Sequence, residues 1–354
     1  MTDRAVLAEV SKKKFSEIIA KGQESAVTTL TKLAEERPTD RVVNTRAFKF
    51  KATDTGVVLD IEGEEYRVHP HAINQSTQRT GLLGQRTVRN LLDTRKPWAM
   101  EVVADMFNKT YANIDANRFL VRSVGNEVRG VLSDRYRRMD SGPIFEQFIK
   151  ASQQFGAVPT MSKFMDTKFT LTMSLPTVFE PIKDEIMMFG ATIANSDYGD
   201  GALSVKFALL RIWCTNLCMR EECMRQVHLG RRLGDNIQYS EKTYQLDTDT
   251  MTSAVNDLVR HNFLPEKVEQ NMQVIREAAT AENDIAKVFA TLQRGNKITK
   301  AEKKEIVELY NSPEVELLPP GNNLWRASNA ISLFAQRQGD KREFELQTIA
   351  GDLL

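Results

Sequence analysis

The sequence predicts an α+β fold: an antiparallel sheet built of hairpin-helix units, with a C-terminal helical subdomain. Three observations predict it. Short alternating apolar and polar runs, broken by Gly-containing turns, recur through residues 40–245 and mark antiparallel strands. Apolar residues at helical spacing follow two of these hairpins directly. From about residue 247 helical periodicity stands alone. The expected organisation is an N-terminal helical segment at 1–39, an α+β core at 40–245 and a helical subdomain at 246–354.

In chain order, Ala5, Val6, Val10, Phe15, Ile18 and Ile19 recur at helical spacing over 1–36, until Pro38 breaks the pattern. The run Lys12-Lys13-Lys14 reads as the solvated face of that helix. "FKFKATDTGVVLDIEGEEYRVHP" alternates about Thr55-Gly56 and Glu62-Gly63 and gives short strands, and "HAINQSTQRTGLLGQRTVRNLLDT" reads as helix interrupted by glycine. A helix at 97–113 leads into "VRSVGNEVRGVLSDRYRRMD", two strands about a Gly125-Asn126 turn. "SGPIFEQFIKASQQFG" then sets Ile144, Phe145, Phe148 and Ile149 on one helical face. Residues 167–175 alternate, and "SDYGDG" separates two further apolar runs. Helices are expected on one face of this sheet. In the last third, Thr299 and Glu302 spell a capping box, and Pro313, Pro319 and Pro320 set off the helix "NNLWRASNAISLFAQ" with core anchors Trp325 and Phe334. The final "LQTIAGDLL" reads as a short helix or tail.

A chain of 354 residues, 41% hydrophobic, has material for a substantial core. Its net charge of +1 excludes a bulk cationic field, so any attraction to nucleic acid must come from local clusters. No run approaches the roughly 18 apolar residues of a membrane-spanning helix, and "MTDRAVLAEVSKKKFSEII" lacks the apolar core of a secretory signal. A cytoplasmic location with no membrane partner is expected. The three cysteines, all within 214–223, suit reduced thiols better than a disulfide framework.

The densest cluster is the 121–140 hairpin, with Arg122, Arg129, Arg135, Arg137 and Arg138 beside Tyr136. Guanidinium groups fork onto phosphate oxygens, and a tyrosine ring stacks on a splayed base. On an extended strand Arg135 and Arg137 share one face, Tyr136 and Arg138 the other. The competing reading is an exposed ribbon paired to its own Glu127, Asp134 and Asp140. Lys206, Arg211, Arg231 and Arg232 supply a second basic segment, the last two beside glycines that permit close backbone approach. The two segments flanking one sheet would form a groove for single-stranded nucleic acid.

Other chemistry reads more weakly. Cys214, Cys218, Cys223 and His228 are zinc-ligand types, but their gaps turn the side chains away from one another on a continuous helix, so no metal is expected. Asp197, Asp200 and Glu185 are candidates for a metal-dependent nuclease, against which "SDYGDG" is also good turn chemistry. His69 and His71 in "RVHPHAIN" fit a local structural role. There is no Walker glycine loop, no Gly-x-Ser-x-Gly elbow and no His-Glu-x-x-His helix, so catalytic residues stay unknown and no cofactor is expected.

"NSDYGDGALSVKFALLRIWCTNLC" at 195–218 carries an Asn-Ser element before a Gly turn, then Arg211, Cys214 and Asn216. "GNNLWRASNAISLFAQ" at 321–336 adds Leu324-Trp325 with Asn329-Ala330. On these motifs, with "VLSDRYRRMD", the chain resembles the phage and plasmid proteins grouped as domain of unknown function nine hundred and thirty-two. The resemblance implies a role in phage or plasmid DNA metabolism and supplies no catalytic residues. By architecture alone, basic hairpin-helix units are similar to the single-strand annealing proteins of phage recombination. The leading expectation is single-stranded DNA binding in replication or recombination, in an assembly compatible with a homo-oligomer. The alternatives are a metal-dependent nuclease and a structural or host-interaction protein of a phage.

Overall fold

The computed structural model describes all residues except 1–2, 116–117, 135, 213, 227, 229–239 and 313–317. The fold is mixed α+β with mostly antiparallel strands and a helical C-terminal third, and it contains two sheets.

The first sheet comprises β1 (Thr39–Asn44), β2 (Phe48–Thr53), β3 (Gly56–Ile61), β4 (Glu64–Val68), β5 (Arg118–Val124) and β6 (Glu127–Ser133), in the order β1-β5-β6-β4-β3-β2. Only the β4–β6 pair is parallel. β1 and β2 occupy opposite edges, yet a single turn, Thr45–Ala47, joins them. In a flat sheet the edges would stand roughly 24 Å apart, and so short a link spans at most about 15 Å. The sheet is therefore curled until its edges approach. Arg41 of β1 accordingly pairs with Glu62 at 2.5 Å and Glu64 at 2.9 Å, at the β3–β4 turn.

An aromatic cluster fills the concave side. α4 (Pro97–Asn113) turns Met100, Val103, Phe107 and Tyr111 inward, and Tyr111 meets Phe48 at 5.0 Å while Phe107 meets Phe50 at 5.1 Å. Asn108 of the same helix closes the β2 edge, accepting from the Phe50 amide at 2.7 Å and donating to the Phe50 carbonyl at 2.8 Å. Such a plug blunts an edge that would otherwise template another strand. α2 (Pro70–Thr80) and α3 (Gln85–Asp93) complete this half.

The second sheet is an antiparallel meander of β7 (Val158–Met165), β8 (Lys168–Ser174), β9 (Met187–Asn195), β10 (Leu203–Arg211) and β11 (Asn216–Gln226). On one face α5 (Ser141–Gln153) and α6 (Glu241–Asn262) pack Phe145, Phe148, Val255 and Val259 onto Leu171, Ile193 and Val205. Beyond them α7 (Pro265–Thr280), α8 (Ile285–Arg294), α9 (Lys300–Tyr310) and α10 (Leu324–Ala335) bring Ile275, Phe289, Ile306, Trp325 and Ile331 against Phe189, Phe207 and Leu209. On the opposite face Ile18 of α1 (Asp3–Glu35) and Phe344 of α11 (Asp340–Asp352) cover Met188, Ala208, Leu210 and Met219. Gly351 lets α11 touch the strand below, since a Cβ there would overlap the Met219 carbonyl.

Three expectations change. One sheet with helices on one face becomes two sheets, the second covered on both faces; every residue of β9 and β10 is buried, as their nearly unbroken apolar runs require. The 121–140 hairpin ends at Ser133, so the alternating strand faces assigned to Tyr136, Arg137 and Arg138 do not exist. The terminal segment belongs to a full helix, α11. Among the described residues no helix is long and apolar enough to cross a membrane.

Candidate functional site

The cations singled out by sequence are largely engaged inside the fold. Arg122, in the middle of β5, is 1% exposed and spends its whole fork internally. It donates to Asp40 Oδ1 at 2.7 Å, to Asp140 Oδ1 at 2.7 Å and to the Asp197 carbonyl at 2.8 Å. Arg129 holds Glu36 and Glu127. Arg137 forks onto Asp247, and Arg138 pairs with Asp40 at 2.9 Å beneath the Tyr244 ring. Arg211 and Glu185 form a buried pair at 2.6 Å, and Lys206, also buried, donates to Thr348 Oγ1. Tyr136 stacks on His228, with ring centroids 5.0 Å apart and planes 9° from parallel, and its hydroxyl donates to the Ser196 carbonyl. As phosphate ligands the buried Arg122, Lys206 and Arg211 are thus corrected to structural cations; Arg129, Arg137 and Arg138 are partly exposed and each holds a carboxylate, and Tyr136 is a stacked ring. Two of the partners, Glu127 for Arg129 and Asp140 for Arg122, are those of the competing reading; others lie far along the chain, 82 residues away for Arg122 and Asp40, where local sequence does not show them. Arg135, Arg231 and Arg232 lie outside the described residues.

The "SDYGDG" segment is the joint between the sheets. Ser196 Oγ accepts from the amides of Tyr198 and Asp200, which is turn chemistry, while the Tyr198 carbonyl accepts from Gln75 of α2. Asp197 Oδ1 accepts from the Ser141 amide at 2.8 Å and hydroxyl at 2.7 Å. Burial pushes the Asp197 carboxyl up to about 6, against the opposing charge of Arg122. His228 lies 2.9 Å from Asn195 Oδ1, and burial lowers its pKa to about 4. Asp200 is held by Thr167 and Lys341, and Glu185 by Arg211, so the three carboxylates proposed for a nuclease each serve a separate internal contact. Among the described residues no three His, Cys, Asp or Glu side chains converge on a metal-sized space. His69 caps α2, its Nδ1 accepting from the His71 amide.

Several exposed cations have no side-chain partner among the described residues, and three of them lie together. Arg67 at the end of β4, Arg89 on α3 and Arg95 just beyond α3 are exposed, and no guanidinium of the three makes an ion pair or hydrogen bond with a described residue. They line one cleft of about 840 Å³, walled by the β2–β3 hairpin at Thr53–Val58, by Val68, and by Pro70, Ile73 and Asn74 of α2. Two carboxylates share the wall, Asp93 and Glu127, and Glu127 is already bound to Arg129. Arg95 adopts φ +52° at the position after the α3 cap, where glycine is the favoured residue. A left-handed arginine there stores strain of the kind that clusters at working surfaces.

Sequence reading passed over all three arginines. The available signal was α3 itself, "QRTVRNLLD", whose apolar stripe of Val88, Leu91 and Leu92 leaves Arg86 and Arg89 facing water. Comparison with protein-family models, with curated proteins and with solved structures finds no match to this chain.

Proposed function

We propose that the chain binds nucleic acid, with the phosphate backbone held in the cleft by Arg67, Arg89 and Arg95. One observation carries this reading: three guanidinium groups with no carboxylate partner share one cleft, in a protein whose buried arginines are paired. An unpaired fork is the form of arginine that takes a phosphate oxygen without first breaking an internal bond. The nearby start of α2 adds the positive end of a helix dipole on the same side.

The test is oligonucleotide binding against salt. Affinity should fall steeply between roughly 50 and 200 mM salt as counterions are released. Replacing Arg67, Arg89 and Arg95 together by Ala should weaken binding and flatten the log–log salt slope by about two units, with thermal stability little changed. Unchanged affinity and slope in the folded triple variant would overturn the reading.

A further inference from the structure

We infer that the nucleic acid held at this cleft is single-stranded, and that Trp98 is the platform on which its bases stack. The inference rests on the cleft reading and adds the class of strand it selects.

Trp98 is the second residue of α4 and is 54% exposed, and among the described residues no other aromatic side chain is exposed. Trp325 shows the ordinary fate of an indole in this fold, fully buried in the core. The helix gives Trp98 no core role. Successive residues advance about 100°, so two positions before the inward-facing Met100 the side chain projects from nearly the opposite face. A ring of this size left in water forgoes the gain of burial, which a stacking partner would supply.

Charge complementarity identifies that partner. Arg95 and Lys96 immediately precede Pro97 and Trp98, all are exposed, and Arg95 lines the arginine cleft. Trp98 stands three residues along the chain from a cleft arginine, and an exposed aromatic ring close to a cationic groove is the arrangement that grips unpaired bases by stacking and their phosphates by charge. A duplex keeps its bases stacked on each other and offers the indole no free face. Val102, one turn along α4, is also exposed and gives the patch an apolar extension; a protein partner on this face is the competing occupant, disfavoured by the flanking cations.

The experiment compares an oligothymidylate with a duplex of equal length, by fluorescence anisotropy at low salt, for wild type, Trp98→Ala and Trp98→Phe. The wild type should prefer the single strand. Trp98→Ala should lose ~10-fold or more on the single strand with duplex affinity and salt slope unchanged, and Trp98→Phe should retain most of the binding. Equal wild-type affinity for both strands, or a loss in Trp98→Ala that is the same for both, would overturn this inference and leave the arginine cleft standing. Binding to neither would overturn both. Self-association that Trp98→Ala abolishes, with no change in oligonucleotide binding, would assign the face to a second copy of the chain.

Discussion

Arg122 Nε donates to Asp40 Oδ1 at 2.7 Å, and the same guanidinium reaches the carbonyl of Asp197, so one buried side chain ties β1 and β5 to the joint between the sheets. Replacing Arg122 by Met leaves Asp40 and Asp140 without their shared cation. Asp40 keeps Arg138 and Asp140 is half exposed, so the loss falls mainly on the Asp197 carbonyl left unsatisfied and on the missing charged hydrogen bonds, about 1–3 kcal/mol. Denaturant unfolding of Arg122→Met should show a loss of that order. A variant of wild-type stability would return Arg122 to the surface role read from sequence.

Arg95→Gly separates stability from binding. Glycine relieves the left-handed conformation, so the variant should be more stable by about 0.5–1 kcal/mol. It also removes one cleft cation, so oligonucleotide affinity should fall. Thermal unfolding and anisotropy on the same sample read both quantities, and a variant that loses stability would show that Arg95 has contacts holding it in place.

Two buried groups oppose each other as pH changes. The folded pKa of Asp197 is raised to about 6, so the folded state binds more protons than the unfolded chain, and this contribution to stability falls as pH rises from about 4 to 6. The folded pKa of His228 is lowered to about 4, so the unfolded chain binds more protons, and its contribution rises over a window reaching from pH 4 to the ordinary histidine range. The slopes have opposite signs between pH 4 and 6. In Asp197→Asn, denaturation midpoints across that window should rise with pH more steeply than in wild type; in His228→Gln they should rise less or fall. Parallel profiles for all three proteins would remove both assignments.

Gly351→Ala forces α11 away from β11, because the added methyl overlaps the Met219 carbonyl. Overpacking against backbone costs roughly 1–3 kcal/mol, and the melting temperature should fall by several degrees. Gly339→Ala has open space around its Cβ and serves as the matched control.

What was legible in the sequence was local. Both hydrogen bonds of the Thr299–Glu302 capping box form, and the Gly125-Asn126 turn joins β5 to β6, because each depends on residues three or four apart. The α+β class followed from runs of periodicity for the same reason. The curled sheet was not legible, since β1 pairs with β5 from Thr39↔Ser123 onward and no pattern within β1 names that partner. The arginine ribbon misled because, besides the local carboxylates Glu127 and Asp140, Arg122, Arg129 and Arg137 find Asp40, Glu36 and Asp247 from distant segments. Arg67, Arg89 and Arg95 were missed for the converse reason. What sets them apart is that three unpaired guanidinium groups meet in one cleft, which is a property of three-dimensional neighbours and not of spacing.

The three-residue link between β1 and β2 also sets an order of assembly. During synthesis β2 meets β3 and β4 almost at once, whereas β1 must wait until residues 118–124 have left the ribosome. At about 5–20 residues per second that delay is on the order of 4–16 s. Through it the β2–β4 meander and the α3 segment to Arg95, which carry the three cleft arginines, are complete as chain while β1 still lacks its partner strand. β1 thus waits for the β5–β6 hairpin, which supplies its partner strand and links it to β4.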